Sequence, residues 1–132
     1  MKSFKLSVTL PVGVSELYKA WLNSKQHTAF TGGEANCSAK LNGEFTAWDG
    51  YISGKNLELV PDEKIVQEWR AADFAEGDKS SLLQLRFESA GKGKTKLTLL
   101  HSQLPDDLVD SYKKGWGDHY FIPMKSYYSK KK

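Results

Sequence analysis

The stretch GEFTAWDGYISG, residues 43–54, followed by KNLELVPDEKIVQEWR, residues 55–70, reads as three consecutive antiparallel strands. Asn42-Gly43 and Asp49-Gly50 are pairs that tolerate the positive φ angles of tight hairpin turns, and Pro61-Asp62 opens a third turn. A two-residue turn at Asp49-Gly50 sets Trp48 opposite Tyr51, Ala47 opposite Ile52 and Phe45 opposite Gly54. Alternation then gives a core face of Phe45, Ala47, Ile52 and Gly54. Thr46, Trp48, Tyr51 and Ser53 fall on the outer face, so an aromatic pair stands where polar residues are usual.

Upstream, residues 3–10 alternate with Phe4, Leu6, Val8 and Leu10 on one face, which predicts a first strand ended by Pro11-Val12-Gly13. Residues 14–23 carry Leu17, Tyr18, Trp21 and Leu22 at helical spacing, with Ser15 as the expected cap. A short second helix is expected over 24–30, and a strand over 34–41 after Thr31-Gly32-Gly33. Downstream, Leu83, Leu85 and Phe87 share one face of a strand over 82–88, and Leu97, Leu99 and His101 share one face over 95–101. Residues 71–79 read as a loop. The last element starts at Pro105 with Asp106, Asp107 and Asp110 in its first turns, where the helix dipole favours negative charge. Leu108, Tyr112, Trp116 and Tyr120 then recur every four residues. This predicts a long helix with one aromatic face, kinked at Pro123, in which Gly115 and Gly117 leave room for another part of the chain to approach.

At 132 residues, 39% apolar and 27% charged, the chain has the size and composition of one globular domain, 1–132. No run approaches the ~18 apolar residues of a membrane span, and residues 1–10 alternate unlike a signal peptide. A single cysteine, Cys37, forms no internal disulfide, so the expectation is a cytoplasmic protein. The net charge of +3 is accounted for by Lys130, Lys131 and Lys132, a lysine tail over 130–132. The rest of the chain is close to neutral, which argues against nucleic acid as a partner. Gly91-Lys92-Gly93-Lys94-Thr95 imitates a phosphate loop, but Glu88 stands where the motif needs glycine and a strand follows.

The order of strand, short helices, strands and long helix is an α+β pattern in which the amphipathic C-terminal helix covers the apolar face of an antiparallel sheet. That order resembles the START-like (SRPBCC) helix-grip superfamily, and within it the activators of the heat shock protein 90 ATPase. The resemblance rests on Glu16-Leu17-Tyr18 with Trp21, on Phe30-Thr31-Gly32, Gly43-Glu44-Phe45 and Asp49-Gly50-Tyr51-Ile52-Ser53-Gly54. Ile65-Val66-Gln67-Glu68-Trp69-Arg70 and Gly115-Trp116 with His119-Tyr120 complete it. It implies a curved antiparallel sheet wrapped around the long C-terminal helix, with short helices after the first strand and an apolar cavity between sheet and helix. In the eukaryotic co-chaperone a separate N-terminal domain precedes this one and makes major contacts with the chaperone.

Two sites are expected. The first is the cavity, walled by Trp21, Phe30, Phe45, Gln67, Trp69, Leu85, Leu99, His101, Tyr112, Trp116 and Tyr120, which would bury an apolar small molecule with Gln67 or His101 orienting it. The competing reading is that these side chains fill the space and the polar ones satisfy each other. The second is the outer pair Trp48 and Tyr51, either a cross-strand pair that stabilises the hairpin or a contact surface for a heat shock protein 90-type chaperone or a second copy of the chain. A non-enzymatic reading ranks first, with no cofactor and no metal: His27, His101, Asp118 and His119 lack metal-ligand spacing, and Cys37 reads as a small strand residue. An enzyme of the cyclase or dehydratase type ranks third and would need a second titratable group beside His101.

Overall fold

In the computed structural model, which describes residues 2–74, 77 and 79–130, five strands form a meander and a sixth closes onto its last strand. The elements are β1 (Lys2–Leu10), α1 (Val14–Trp21), α2 (Ser24–Thr31), β2 (Glu44–Ala47), β3 (Ile52–Val60), β4 (Lys64–Ala71), β5 (Ser81–Ser89) and β6 (Thr95–Leu104). All pairings are antiparallel, in the order β1-β6-β5-β4-β3-β2. A curved six-stranded antiparallel sheet with short helices after β1 and a long C-terminal helix is the helix-grip architecture. Residues 75, 76 and 78 of the expected loop, and Lys131 and Lys132 of the tail, lie outside the described residues.

The hairpin register is the one its turn chemistry dictates, with Ala47 opposite Ile52 and Phe45 opposite Gly54. Parity holds further along the sheet: Leu83, Leu85 and Phe87 of β5 and Leu97, Leu99 and His101 of β6 are all buried. A bulge in β3 between Asn56 and Glu58 resets the alternation, turning Leu57 outward while Asn56 is fully buried.

Two local expectations fail. Gly13, not Ser15, occupies the N-cap of α1, with no side-chain cap, whereas α2 is capped by Asn23, whose Oδ1 accepts from the Gln26 amide at 2.9 Å. Residues 34–41 form no strand. They make one isolated bridge, Asn36 with Thr46, and the amides of Glu34, Ala35, Cys37 and Lys40 donate to side chains instead of a ladder. The Cys37 amide donates to Ser24 Oγ at 2.7 Å, and Asn56 Nδ2 donates to the carbonyls of Ser38 and Lys40 at 2.8 and 3.0 Å. Polar side chains from α2 and β3 thus outcompete sheet pairing, and Cys37 sits in a loop.

The C-terminal segment is a 3₁₀ turn (Asp106–Leu108), α3 (Val109–Trp116), a π-helical turn (Gly117–Phe121) and α4 (Ile122–Lys130). Its inward stripe is Tyr112, Trp116, Tyr120, Met124 and Tyr128, all buried. On a 3.6-residue helix a step of four overshoots a full turn by about 40°. A stripe at strict intervals of four would therefore wind off the sheet. The wide π turn, closed by the Ile122 amide on the Gly117 carbonyl, slows that drift and holds Tyr120 and the residues beyond it over the sheet. It also meets the difficulty raised by Pro123, which has no amide for the His119 carbonyl. The helix yields upstream of the proline, in the turn that carries Gly117.

Side chains from both sides fill the space between helix and sheet: Trp21, Phe30, Trp69, Leu85, Leu99 and Trp116 are among the buried core. Each contributes on the order of 1.5–3 kcal/mol by leaving water. No helix among the described residues is long and apolar enough to cross a membrane.

Candidate functional site

The expected cavity separates into a filled interior and an open cleft along residues 111–120 of the C-terminal helix. In the interior, both polar groups expected to orient a ligand are engaged. The Trp116 indole Nε1 donates to Nδ1 of His101 at 3.0 Å, so the imidazole proton sits on Nε2, which donates to Ser81 Oγ at 2.8 Å. Ser81 Oγ donates in turn to the Trp69 carbonyl at 2.8 Å. Burial pushes His101 down to about 3, so the ring is neutral. Gln67 is the centre of a second chain: its Oε1 accepts from Trp21 Nε1 at 3.4 Å, and its Nε2 donates to Asn56 Oδ1 at 2.9 Å. These bonds satisfy buried polar groups that would otherwise destabilise the core.

His27 is held in the same way. Its Nδ1 can only donate to the Trp21 carbonyl, at 2.9 Å, so its Nε2 accepts from the Tyr120 hydroxyl at 3.0 Å. Burial lowers His27 to about 4 and holds the Tyr120 phenol well above its usual range. Burial likewise pushes the Cys37 thiol up to about 11, away from the thiolate form.

The cleft has a volume of about 440 Å³, within the range of small-molecule sites. Its walls are Trp48, Tyr51, Ile52 and Trp69 from the sheet side and Ser111, Tyr112, Gly115, Trp116, His119 and Tyr120 from the helix side. Of the residues expected to wall a cavity, Trp69, Tyr112, Trp116 and Tyr120 meet here. Trp21, Phe30, Phe45, Gln67, Leu85, Leu99 and His101 are instead buried in the interior and do not line the cleft.

Trp48 and Tyr51 are not an outer-face pair. β2 ends at Ala47, and Trp48, Asp49 and Gly50 all take positive φ, at 51°, 59° and 90°. The Asp49-Gly50 signal correctly marks a left-handed turn. The turn starts one residue earlier, and a tryptophan in the left-handed region is a genuine exception. The reversal swings the indole inward, flat against Gly33, where an added Cβ would lie 2.4 Å from the ring. Trp48 then packs edge to face on His119 and Tyr120, with ring centroids 5.7 and 6.4 Å away. Tyr51 is 37% exposed at the rim, and its hydroxyl donates to Asp73 Oδ2.

Two buried wall groups face polar neighbours without a well-formed hydrogen bond: Trp48 Nε1, beside the Tyr120 hydroxyl, and the Tyr112 hydroxyl, beside Tyr51 and Asp73. Burial, together with these neighbours, keeps Tyr112 protonated far above neutral pH. Sequence reasoning missed Ser111, Gly115 and His119 as wall residues. They run every four residues directly beside Tyr112, Trp116 and Tyr120, so a line of small or polar residues flanking an aromatic stripe was the available signal. Among the described residues, no other part of the chain takes the room left by Gly115: a Cβ there would meet His119 Cδ2 alone, at 3.9 Å.

Among known proteins, the human activator of 90 kDa heat shock protein ATPase homolog 1 is 28% identical over 120 residues, which is 91% of this chain and 35% of that protein. The Dictyostelium discoideum activator homolog is 28% identical over 115 residues, 87% of this chain and 30% of its own. The chain thus spans about a third of the length of these curated relatives. The structure of an HSP90 activator from Plasmodium falciparum superposes with a TM-score of 0.86 at 25% identity, over 96% of this chain and 95% of that one. The Aha1 dimer from Colwellia psychrerythraea, at 12% identity, shares the fold with a TM-score of 0.81 over 97% and 96% of the two chains. The family model described as Activator of Hsp90 ATPase homolog 1-like protein matches residues 11–128, and the chain belongs to that family.

Proposed function

We propose that the chain is a non-enzymatic binding module that holds an apolar small molecule in the cleft between the 48–51 turn and the C-terminal helix. One observation carries this reading: six aromatic side chains converge on a volume of about 440 Å³ that none of the described residues fills. Apolar walls with a few polar groups are the ordinary make-up of a ligand site. His101 and Gln67 take no part, because their hydrogen-bonding capacity is used in the interior. The test is a fluorescence titration with Nile red, a neutral apolar dye, on the protein and on Gly115→Leu, whose side chain would enter the cleft. Saturable one-to-one binding that is lost in Gly115→Leu supports the reading. Equal binding by both, or by neither, overturns it.

A second reading is stimulation of an Hsp90-type chaperone. The end-to-end likeness to the Plasmodium falciparum HSP90 activator favours it. The outer sheet face is a poorer docking surface than the sequence suggests, since Trp48 is turned inward. Docking would fall on the rim around Tyr51. An unchanged chaperone ATPase rate with the chain in excess would remove this reading.

A further inference from the structure

Resting on the ligand-binding reading of the cleft, the geometry points to an organic cation as its occupant: an apolar molecule ending in a quaternary or protonated amine, with Asp73 as counter-charge. The first support is the aromatic wall of Trp48, Tyr51, Trp69, Tyr112, Trp116 and Tyr120. Its rings brace one another, with centroids 4.5 Å apart for Trp116 and Tyr120, 5.4 Å for Trp69 and Tyr112, and 5.9 Å for Trp69 and Trp116. Electron-rich ring faces attract a cation within about 6 Å, and tryptophan does so best. A wall of two or more such rings is a cage.

The second support is the sign of the charges around it. None of the described wall residues is a lysine or arginine, so an anionic head group would meet no permanent positive charge there. The carboxylate tied into the rim is Asp73, which accepts from the Tyr51 hydroxyl. An anion would be repelled by it, and a neutral ligand would leave it unused. The third support is the Tyr112 hydroxyl, a cleft-wall phenol close to both Tyr51 and Asp73. A phenol oxygen can accept as well as donate, so it offers an ammonium N–H, or the polarised methyl groups of a quaternary ammonium, an acceptor next to the carboxylate. The imidazole of His119 packs edge to face on Trp48.

Three chain-matched probes test this by calorimetric titration: octyltrimethylammonium, 1-octanol and octyl sulfate. The expected result is that the cation binds about tenfold or more tightly than the alcohol, and the sulfate most weakly. Asp73→Asn, an exposed substitution, should abolish the advantage of the cation over 1-octanol. Equal binding of cation and alcohol overturns the cation assignment while leaving the cleft as an apolar site. A preference that survives Asp73→Asn overturns the counter-charge. Absence of binding by all three overturns the ligand-binding reading itself.

Discussion

The indole of Trp116 donates to Nδ1 of His101 at 3.0 Å, and this one bond fixes the tautomer of an imidazole that is completely buried. His101 cannot be protonated at Nδ1 without expelling the indole N–H. His27 is equally committed between the Trp21 carbonyl and the Tyr120 hydroxyl. Both histidines stay neutral when folded, down to about 3 and about 4, whereas an unfolded histidine titrates near 6.5.

Acid should therefore unfold this protein earlier than its carboxylates alone would. Below pH 6.5 the unfolded chain binds two protons that the folded chain refuses, so stability rises with pH across this window and falls on acidification. The loss should be roughly 4 kcal/mol between pH 7 and 5 for the pair, at about 1.4 kcal/mol per pH unit and group. Urea denaturation at the two pH values measures it. A flat profile over that interval would mean that the two rings are not held neutral.

Trp116→Phe keeps most of the ring packing and removes the donor. It should destabilise the protein by about 1–3 kcal/mol by leaving Nδ1 of His101 unpaired. The double variant with His101→Leu should cost less than the sum of the single changes, because the orphaned acceptor is then gone. Strict additivity in a denaturation cycle would show that the hydrogen bond contributes nothing.

Much of this is legible in the amino-acid sequence, and the reasons differ by element. The strand faces of β5 and β6 and the register at Ala47 and Ile52 follow from period-two alternation and a turn signal, both local. The helix stripe from Tyr112 to Tyr120 is equally local. What the sequence hid was long-range. Asn56 and Ser24 capture the 34–41 backbone with side chains, and no periodicity reports that competition. Trp48 leaves the strand pattern because its backbone flips, at the cost of a left-handed tryptophan, and what offsets that cost is contact with Gly33, His119 and Tyr120. The same gap explains the cavity: parity says which side chains point inward but not whether they meet in the middle.

The position of Trp48 depends on the missing side chain at residue 33. Gly33→Ala would drive a methyl group to 2.4 Å from the indole, so the ring must shift. A stability loss of about 1–3 kcal/mol is expected, as for other overpacked sites. Tryptophan emission should move to longer wavelength as the indole gains water. An unchanged spectrum with unchanged stability would place Trp48 elsewhere.

Gly115 offers the sharpest separation of stability from binding. It lies in α3, where glycine is about 1 kcal/mol worse than alanine, and nothing in the fold demands its lack of a side chain. A Cβ would touch only His119 Cδ2, at 3.9 Å, and would otherwise project into open cleft. Gly115→Ala should therefore raise stability by up to about 1 kcal/mol while weakening Nile red, because the cleft narrows. Thermal unfolding and dye titration on the same variant read the two effects. If the variant is more stable and binds the dye as well as before, the space at Gly115 serves no ligand, and the propensity lost there is simply unoptimised sequence.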